Sequence, residues 1–484
     1  MRKLILLTVL WSLFTLFTRA QVLRVATTPT AIASQVPGYN QVNTINVKTI
    51  SYTPSTPATA PTPVDEDSTT EDIKVYDYAD IITANITIAN GNITSTSLGK
   101  VWTLKISIPN ALNIGLLFDQ FNLSASAEIY IYDGNKTVLD SAIKKSHFTS
   151  SSAVGISPVK GNSIIVYIIE LNNFGTFQST ISIQKVEAGY QEIGNIGASG
   201  DNTLTANDFQ IFGASTNCDP LVQCQQSKMP YARAVARFTT NGRQGTGTLI
   251  NNEMSNGRAY FLTAFHVVDR NKNGILDASE ITALAQARFQ FQFWRTNCNG
   301  SINSNWIEFS GAVLRASWKY TDMILLELLN PPGIGDLVNY AGWTRQTGAP
   351  ANNSGFVIHH PQGDDMRITS LKNVKNWLWN SSYWSAHYNS GTVDRGSSGS
   401  ALMNGNGQII GQLRSGWSSC DFTDFGDRYG KFYESWNSPA GLSTWLSPNQ
   451  NLQSTNLLNL TDIPVNGPST IACTTPTPYS TLPG

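Results

Sequence analysis

Short runs in which apolar and polar side chains alternate recur along this chain, and they constrain its fold more than any other feature. Trp102, Leu104, Ile106 and Ile108 form one such run, with the period of a strand that buries one face. The run Ile129–Tyr132 leads into an Asp-Gly-Asn sequence that is typical of turns. Stretches with a helical period are scarce. We therefore predict an all-β protein.

Composition divides the 484 residues into segments, and a chain of this length has room for two or three domains. We expect residues 72–190 to form a β-sandwich-like domain and residues 213–450 to form a larger, strand-rich domain. Residues 21–71 include a run rich in proline and threonine, which predicts a disordered linker. By their composition we expect residues 191–212 to form a second linker and residues 451–484 to form a low-complexity tail.

Residues 1–20 have the features of a secretory signal peptide. Arg2 and Lys3 precede an apolar run from Leu4 to Phe17, and a small residue follows for cleavage. A membrane anchor is the alternative, but the run is shorter than the ~20 residues that a membrane-spanning helix needs. We therefore expect secretion to the periplasm or the extracellular space.

The net charge of −1 gives the chain no overall attraction to nucleic acid or to anionic membranes. We expect its partners to be protein or peptide substrates and the chain itself to be a monomer. Secretion would place its cysteines in an oxidising compartment, where cysteines pair. The five cysteines are Cys218, Cys224, Cys298, Cys420 and Cys473. Their spacing leaves the pairing open, and one must be left over.

Three local motifs in the larger domain stand in the order histidine, aspartate, serine. An apolar strand ends at His266, a second apolar run begins after Asp322, and Ser398 lies in Gly-Ser-Ser-Gly. Each motif alone has an ordinary structural explanation, such as a strand-end histidine or a glycine-rich turn. Their conjunction in this order excludes the chain orders of α/β-hydrolases and subtilisins and favours a chymotrypsin-type serine protease.

Peptide hydrolysis needs these three residue types together. A serine hydroxyl is a weak nucleophile until a base takes its proton. We predict His266 as that base and Asp322 as the carboxylate that orients the imidazole ring. The backbone N–H groups of Gly396 and Ser398 are predicted to form the oxyanion hole, where each donor contributes about 3–4 kcal/mol in the transition state. This chemistry requires no cofactor.

Residues 213–449 resemble the lysyl endopeptidases, a bacterial branch of the chymotrypsin-like serine proteases. The resemblance runs through Gly213–Cys218, Tyr260–His266, Asp322–Leu328, Ala341–Arg345, Ile358–Pro361, Gly396–Ser400, Gly411–Leu413, Ser418–Cys420 and Tyr429–Gly430. It implies a double β-barrel with the active site between the barrels, and a preceding pro-segment that is removed on maturation. The disulfides that it implies are Cys218–Cys420 and Cys224–Cys298, with Cys473 left over.

Three aspartates after the fourth cysteine are candidates for the base of a specificity pocket, where a carboxylate selects a lysine or arginine side chain. They are Asp421, Asp424 and Asp427, and the residues alone do not distinguish them from solvated loop aspartates. The resemblance favours Asp427, which shortly precedes a Tyr-Gly pair. It also places Arg414 near the substrate, where the family has a histidine stacked on a tryptophan, here Trp377 or Trp379.

A segment that closely follows His266 fits the twelve-residue calcium loop of EF-hands, with glycine at position six and glutamate at position twelve. The predicted ligands are the side chains of Asp269, Asn271, Asn273, Asp277 and Glu280 and the carbonyl of Ile275. The alternative is an ordinary polar turn, and only Phe265–Val268 is available as the entering helix. We expect a structural Ca²⁺ in this loop.

The predicted function is that of a secreted serine endopeptidase that cleaves after lysine, or more loosely after basic residues. One alternative is an inactive protease-like secreted protein that binds calcium or mediates adhesion. Another is a serine protease of different primary specificity. No lysine or arginine lies between Lys185 and Lys228, so a lysine-specific enzyme could not release Gly213 by cutting its own chain. This gap predicts either a second protease or a cut elsewhere, such as after Lys185.

Overall fold

The computed structural model of the chain describes residues 23–24, 36–57, 72–133, 143–148, 153–193, 218–299, 306–420 and 425–462. Within these ranges most regular structure is β-strand, and the longest α-helices have six residues. The prediction of an all-β chain is therefore confirmed.

The first thirteen strands lie before residue 190. They are β1 (Leu23–Arg24), β2 (Asn46–Thr49), β3 (Tyr76–Asp77), β4 (Ala79–Thr87), β5 (Asn92–Thr96), β6 (Gly99–Ser107), β7 (Asn113–Phe118), β8 (Gln120–Asn122), β9 (Ala127–Asp133), β10 (Ile143–Lys144), β11 (Val154–Lys160), β12 (Ser163–Leu171) and β13 (Thr180–Gly189). Eleven of them, all except β1 and β3, form the two sheets of this region, and every pair is antiparallel except β2 with β6.

The two sheets of this region enclose one apolar core. One sheet has the order β10-β9-β12-β6-β2, with β5 also pairing with β6, and the other has the order β11-β7-β13-β4, with β8 pairing with β13. The alternating side chains Trp102, Leu104 and Ile106 of β6 are fully buried in this core. The predicted β-sandwich is confirmed, but β7 and β12 are buried on both faces along almost their whole length.

The next strands form a curled sheet that does not close into a complete barrel. They are β14 (Val235–Thr240), β15 (Arg243–Leu249), β16 (Tyr260–Ala264), β17 (Arg288–Phe291), β18 (Ile307–Ser310), β19 (Ala312–Trp318) and β20 (Met323–Leu328). Their order is β1-β18-β17-β14-β15-β16-β20-β19, and β3 pairs with β15. Phe238, Phe261 and Phe289 pack against one another in its core.

The last strands include a closed barrel with the order β22-β23-β24-β27-β26-β25. They are β21 (Asn339–Tyr340), β22 (Phe356–His359), β23 (Arg367–Asn376), β24 (Tyr383–Ser390), β25 (Ala401–Met403), β26 (Ile409–Gly416), β27 (Asp427–Lys431) and β28 (Leu458–Asn459). A half-barrel followed by a closed barrel is the chymotrypsin-type architecture that the sequence predicts.

The helices are short and lie between strands. The α-helices are α1 (Met229–Ala232), α2 (Phe265–Val268), α3 (Ala278–Ala283), α4 (Phe432–Asn437) and α5 (Leu442–Leu446). The 3₁₀ helices are Tyr39–Gln41, Ile88–Asn90, Lys145–His147, Val222–Cys224, Gln226–Lys228, Leu284–Gln286, Lys319–Thr321, Ile334–Asp336, Pro361–Gly363 and Leu460–Asp462. None of the helices in the described part of the chain has the length and apolar character needed to cross a bilayer.

A buried ion pair joins the sandwich to the half-barrel. Arg288 of β17 lies 2.6 Å from Glu187 of β13, and both side chains are fully buried. Tyr78 donates its hydroxyl hydrogen to Glu187 Oε2 at 2.7 Å, and the Gly242 N–H donates to Glu187 Oε1 at 3.0 Å. Removing one partner of such a pair typically costs about 3–5 kcal/mol. The sandwich is thereby fixed beside the half-barrel, and residue 78 is fixed with it.

The prediction of disorder for residues 21–71 is wrong for a part of that segment. Strand β2 lies parallel to β6, with Asn46 opposite Leu104; it is the edge strand of the first sandwich sheet. Val36 and Ile50 are buried in sandwich clusters. The apolar residues of this segment are too sparse to form a recognisable pattern in the sequence. They are buried because they pack against the sandwich sheets, whose strands come from later in the chain.

The predicted boundary at residue 450 is also wrong, because the chain continues on the surface of the half-barrel. Strand β28 pairs with β21, the Thr455 N–H donates to Trp343 O at 2.8 Å, and Leu460 is buried in the half-barrel core. Leu458 and Leu460 are apolar residues in an otherwise polar segment, and they anchor this extension to the half-barrel core. The predicted signal peptide, most of the 191–212 linker and the end of the tail lie outside the described residues.

Candidate active site

The pairing of two apolar strands brings His266 and Asp322 together. β16 runs antiparallel to β20, with Ala264 opposite Met323. The end of one strand therefore lies beside the start of the other, and the Phe265 N–H donates to the carbonyl of Asp322 at 2.8 Å. Asp322 has a left-handed backbone, with φ of 57°, a conformation that is uncommon outside glycine and concentrates at functional sites.

The three predicted catalytic side chains form one chain of contacts. His266 Nδ1 lies 2.6 Å from Asp322 Oδ2, and His266 Nε2 lies 2.7 Å from Ser398 Oγ. The His266 backbone N–H also donates to Asp322 Oδ1 at 2.9 Å. Asp322 and Ser398 are fully buried, whereas the imidazole of His266 is slightly exposed. This geometry allows the imidazole to take a proton from the serine hydroxyl.

Ser398 lies in a tight turn that only glycines permit. Gly396 and Gly399 have φ of 95° and 85°, and a Cβ on Gly399 would lie 2.1 Å from Thr263 Oγ1. The preceding Ser397 is anchored by its hydroxyl, 2.8 Å from Nδ1 of the buried His359. The turn thus packs directly on β16, the strand that leads into His266.

The two predicted oxyanion-hole donors point at one atom. The N–H groups of Gly396 and Ser398 both donate to the carbonyl oxygen of Lys74, at 2.6 and 3.1 Å. Two convergent backbone donors beside a serine hydroxyl are the arrangement that stabilises negative charge on a tetrahedral intermediate. The sequence predicted both donors, but it gave no indication of their acceptor.

Residues 72–74 lie against the edge of β26 as a short antiparallel strand. Their backbone contacts are Lys74 N–H to Arg414 O at 3.3 Å, Gly416 N–H to Asp72 O at 3.0 Å, and an antiparallel bridge between Ile73 and Ser415. Such added strands are a common mode of peptide recognition. No motif in the sequence distinguishes this lysine from others, because its position depends on a strand register.

Asp427 is fully buried at the start of β27. Ser418 donates its backbone N–H to Asp427 Oδ1 at 3.2 Å and its hydroxyl hydrogen to Oδ2, and Tyr388 also hydrogen-bonds to this carboxyl. Burial raises the pKa of Asp427, and the positive charge of Lys74 opposes that effect. The carboxyl therefore lies within electrostatic reach of a lysine side chain. The rival candidates Asp421 and Asp424 lie outside the described residues.

Arg414 lies beside the candidate catalytic residue Asp322. Its Nη1 lies 3.7 Å from Asp322 Oδ1, and its guanidinium carbon lies 6.0 Å from the ring centre of Tyr383. The stacked arginine–tryptophan pair of this region is Arg428 over Trp377, at 4.2 Å. Arg414 thus adds positive charge beside the buried aspartate.

The predicted calcium loop is closed by its own hydrogen bonds. Glu280 accepts backbone N–H groups of residues 270, 271 and 277 at 2.6, 3.2 and 3.1 Å, and Asp269 Oδ2 accepts the Gly274 N–H at 2.9 Å. Asn271, Asn273 and Asp277 accept further N–H groups within the loop. Among the described residues there is no group of three or more His, Cys, Asp or Glu side chains placed to hold a metal ion.

The two disulfides implied by the resemblance are present. Cys218 pairs with Cys420 and Cys224 pairs with Cys298. The first ties the beginning of the two-barrel region to the segment just before β27, which carries Asp427. Cys473 lies outside the described residues.

Residues 218–462 have the chymotrypsin-type architecture, with a histidine, an aspartate and a serine in contact in the cleft. Residues 212–430 match the family model described as "Lysyl endopeptidase, C-terminal domain". A curated relative, the lysyl endopeptidase of Pseudomonas aeruginosa PAO1, is 31% identical over 233 residues, which cover 43% of this chain and 47% of that protein. The chain therefore contains a region similar to lysyl endopeptidases, and it spans about half the length of that relative.

Solved structures with similarity to this chain include two bacterial proteases. A serine endoprotease from Yersinia pestis is 20% identical, with 44% of this chain and 63% of that chain covered and a TM-score of 0.28. The inactive form of the Rv3671c protease is 14% identical, with 48% and 98% covered and a TM-score of 0.28. At these low scores the architecture is best described by the strand order of the chain itself.

Proposed function

We propose that the protein is a secreted serine endopeptidase that hydrolyses the peptide bond after lysine, or more loosely after basic residues. The observation that most supports this function is the chain of contacts from Asp322 through His266 to Ser398, at 2.6 and 2.7 Å. In an inactive protease-like protein, nothing would require all three side chains to be retained and to contact one another.

In the proposed reaction Ser398 Oγ attacks the carbonyl carbon of the substrate while His266 Nε2 takes the hydroxyl proton. Asp322 stabilises the resulting imidazolium, and the N–H groups of Gly396 and Ser398 stabilise the oxyanion. His266 then protonates the leaving amine. Water hydrolyses the acyl-enzyme by the same steps in reverse order.

Two observations support a preference for lysine. Asp427 is a buried carboxyl whose pKa responds to the charge of a lysine side chain. That lysine, Lys74, is itself buried, and its carbonyl oxygen accepts the two oxyanion-hole donors. An ammonium group that enters the cleft therefore meets a carboxylate that water does not screen.

Secretion is supported by the two disulfides, Cys218–Cys420 and Cys224–Cys298, because such bonds persist in oxidising compartments. The signal-peptide features of residues 1–20 agree with this location.

The test is Ser398→Ala beside the matched control Ser400→Ala. The Ser400 hydroxyl is buried and has no hydrogen-bond partner among the described residues, so its removal should leave hydrolysis and fluorophosphonate labelling intact. Ser398→Ala should lose labelling and about 10⁶-fold in turnover. Cut sites mapped in one denatured protein should follow lysine. Substantial hydrolysis by Ser398→Ala would refute the assignment, and a wild-type protein that the probe never labels would favour the inactive scaffold.

A further inference from the structure

Residues 72–77 cross the cleft, and the chain is held on both sides of the bond between Lys74 and Val75. Before the bond, residues 72–74 pair with the edge of β26. After the bond, β3 pairs with β15, with Asp77 opposite Arg243, and their side chains form an ion pair at 2.7 Å. A peptide substrate must be held in this way for the bond between the two anchored parts to lie at the nucleophile.

The carbonyl group of this bond occupies the position that hydrolysis requires. The Lys74 oxygen accepts the N–H groups of Gly396 and Ser398 at 2.6 and 3.1 Å. The same residue, Ser398, supplies the hydroxyl that lies 2.7 Å from His266 Nε2. The donors that would stabilise an oxyanion are therefore already engaged by one of the chain's own peptide bonds.

The side chains on both sides of the bond are also accommodated. The Lys74 side chain is only 4% exposed, and its ammonium lies 3.3 Å from a carboxylate oxygen of Asp72, whose other oxygen lies 3.3 Å from Arg395. Val75 is buried in the core of the half-barrel. Burial of a lysine on one side and of an apolar residue on the other holds the bond in place.

We propose that the Lys74–Val75 bond is a self-cleavage site, cut by Ser398 of the same chain. This inference rests on the proposed function, since it uses the same catalytic residues and the same preference for lysine. Until the bond is cut, residues 72–77 exclude other substrates from the cleft, so the intact chain is a self-inhibited precursor.

The bond changes balance with water as the only co-reactant. Ser398 Oγ bonds to the Lys74 carbonyl carbon and passes its proton to His266 Nε2. The bond from that carbon to the Val75 nitrogen breaks, and His266 gives the proton to this nitrogen, which becomes a free amine. Water then bonds to the same carbon while His266 takes one water proton, and the bond from that carbon to Ser398 Oγ breaks as His266 returns this proton to Oγ. The new Lys74 carboxyl group releases its proton to solvent and becomes a carboxylate.

Lys185 is the contrasting lysine before the two-barrel region. It lies in β13, where it is opposite Thr83 of β4 on one side and Leu117 of β7 on the other. A protease binds its substrate as an extended strand, and both edges of this strand are already paired. The fold therefore favours a first cut after Lys74 over one after Lys185.

The experiment follows freshly purified full-length protein by denaturing mass spectrometry and N-terminal sequencing. The wild type should produce a new N-terminus that begins Val75-Tyr76-Asp77, at a rate that stays constant over a hundredfold dilution because the reaction is intramolecular. Lys74→Gln should slow this cut at least a hundredfold, and Ser398→Ala should abolish it. Lys185→Gln is the matched control and should leave the rate unchanged.

A parallel assay with a short lysyl peptide separates the two proposals. If the wild type hydrolyses the peptide but keeps its Lys74–Val75 bond, self-cleavage is refuted and the proposed function stands. If it does neither, self-cleavage is refuted, and the proposed function is refuted as well if the peptide stays intact after a second protease has cut the chain within residues 72–77. A cut that persists in Ser398→Ala, or whose rate rises in proportion to protein concentration, would overturn cleavage by the same chain.

Discussion

The cleft and the loop from Asp269 to Glu280 were both predicted from the order of polar residues, but their polar atoms have different partners. In the cleft, Asp322, His266 and Ser398 come from three separate elements and contact one another. In the loop, the carboxylates accept N–H groups of the loop's own backbone.

The same residue types thus serve either to close a local turn or to build a site from distant parts of the chain. Asp, Asn and Glu readily hydrogen-bond to nearby backbone, so a local cluster of them can be fully satisfied as a turn. Side chains that meet from distant parts of a chain have no such local explanation. Contacts across elements are therefore stronger support for chemistry than local spacing, and the following predictions test how far this contrast holds.

The largest effect is expected from Asp322→Asn. An amide cannot stabilise the imidazolium and favours the wrong ring tautomer of His266, which lowers turnover by about 10⁴-fold in enzymes of this type. Steady-state kinetics on a lysyl peptide measure kcat, and circular dichroism checks the fold. Asp119→Asn, a substitution in the sandwich far from the cleft, is the control. A loss of less than tenfold in Asp322→Asn would show that the cleft contacts are structural.

The next effect is expected from Asp427→Asn. Loss of the charge partner of a buried ammonium costs about 3–5 kcal/mol, which corresponds to about 200- to 5,000-fold in kcat/KM for lysyl substrates. Substrates with a neutral residue at that position should change far less. A larger loss of lysyl activity in Asp424→Asn would assign the pocket to that residue instead.

Asp427 also predicts a pH dependence. Burial raises the pKa of this carboxyl, so its charge is lost at a higher pH than for an exposed aspartate. As the pH falls, KM for lysyl substrates should rise before KM for neutral substrates does. Equal pH profiles for the two substrate classes would contradict the role of Asp427.

Two buried histidines beneath the serine turn predict acid sensitivity. The pKa of both His359 and His360 is lowered to about 3, chiefly by burial. At His359 the neighbouring His360 and Arg367 contribute to the lowering, whereas at His360 the charge of Arg237 contributes and the Asp364 carbonyl and the Asp365 charge oppose it. Because an unfolded histidine has a pKa of about 6.5, their contribution to stability is complete above that pH. It is lost as the pH falls from about 6.5 towards the folded value.

The loss should reach about 3 kcal/mol per histidine near pH 4.5. Urea unfolding at pH 7.5 and pH 4.5 measures it in the wild type and in His359→Gln. The variant should be less stable at pH 7.5, because it disturbs the contact to Ser397, but should show a smaller pH dependence. An unchanged pH dependence in His359→Gln would exclude this histidine as its source.

Residues of the cleft could be predicted because each lies in a recognisable local sequence. Strand ends, an aspartate before an apolar run and a glycine-bounded serine are visible without knowledge of the fold. Lys74 could not be predicted, because only the register between residues 72–74 and β26 places its carbonyl at the two donors. The order of residues 36–57 was missed for a related reason, since their few apolar side chains need the finished sandwich as a partner.

The smallest effect is expected from calcium at the loop. Ca²⁺ prefers six to eight oxygen ligands, with both oxygens of the twelfth residue, but both Glu280 oxygens accept backbone N–H groups. Binding would have to replace these hydrogen bonds, so the gain should be small. At ten times its dissociation constant, a ligand that binds only the folded state adds about 1.4 kcal/mol.

Thermal unfolding with excess calcium or with chelator measures this gain directly. We expect calcium to raise the melting temperature of the wild type by a few degrees and to protect the loop from proteolytic nicking. Glu280→Gln should remove the response, and it should also lower stability in chelator, because an amide oxygen is a weaker acceptor for the N–H groups of residues 270 and 277. If calcium changes neither protein, the loop is a self-satisfied turn, and its contrast with the cleft is complete. If calcium stabilises the wild type strongly, local hydrogen bonds at such a loop do not argue against a metal site, and the contrast would be lost.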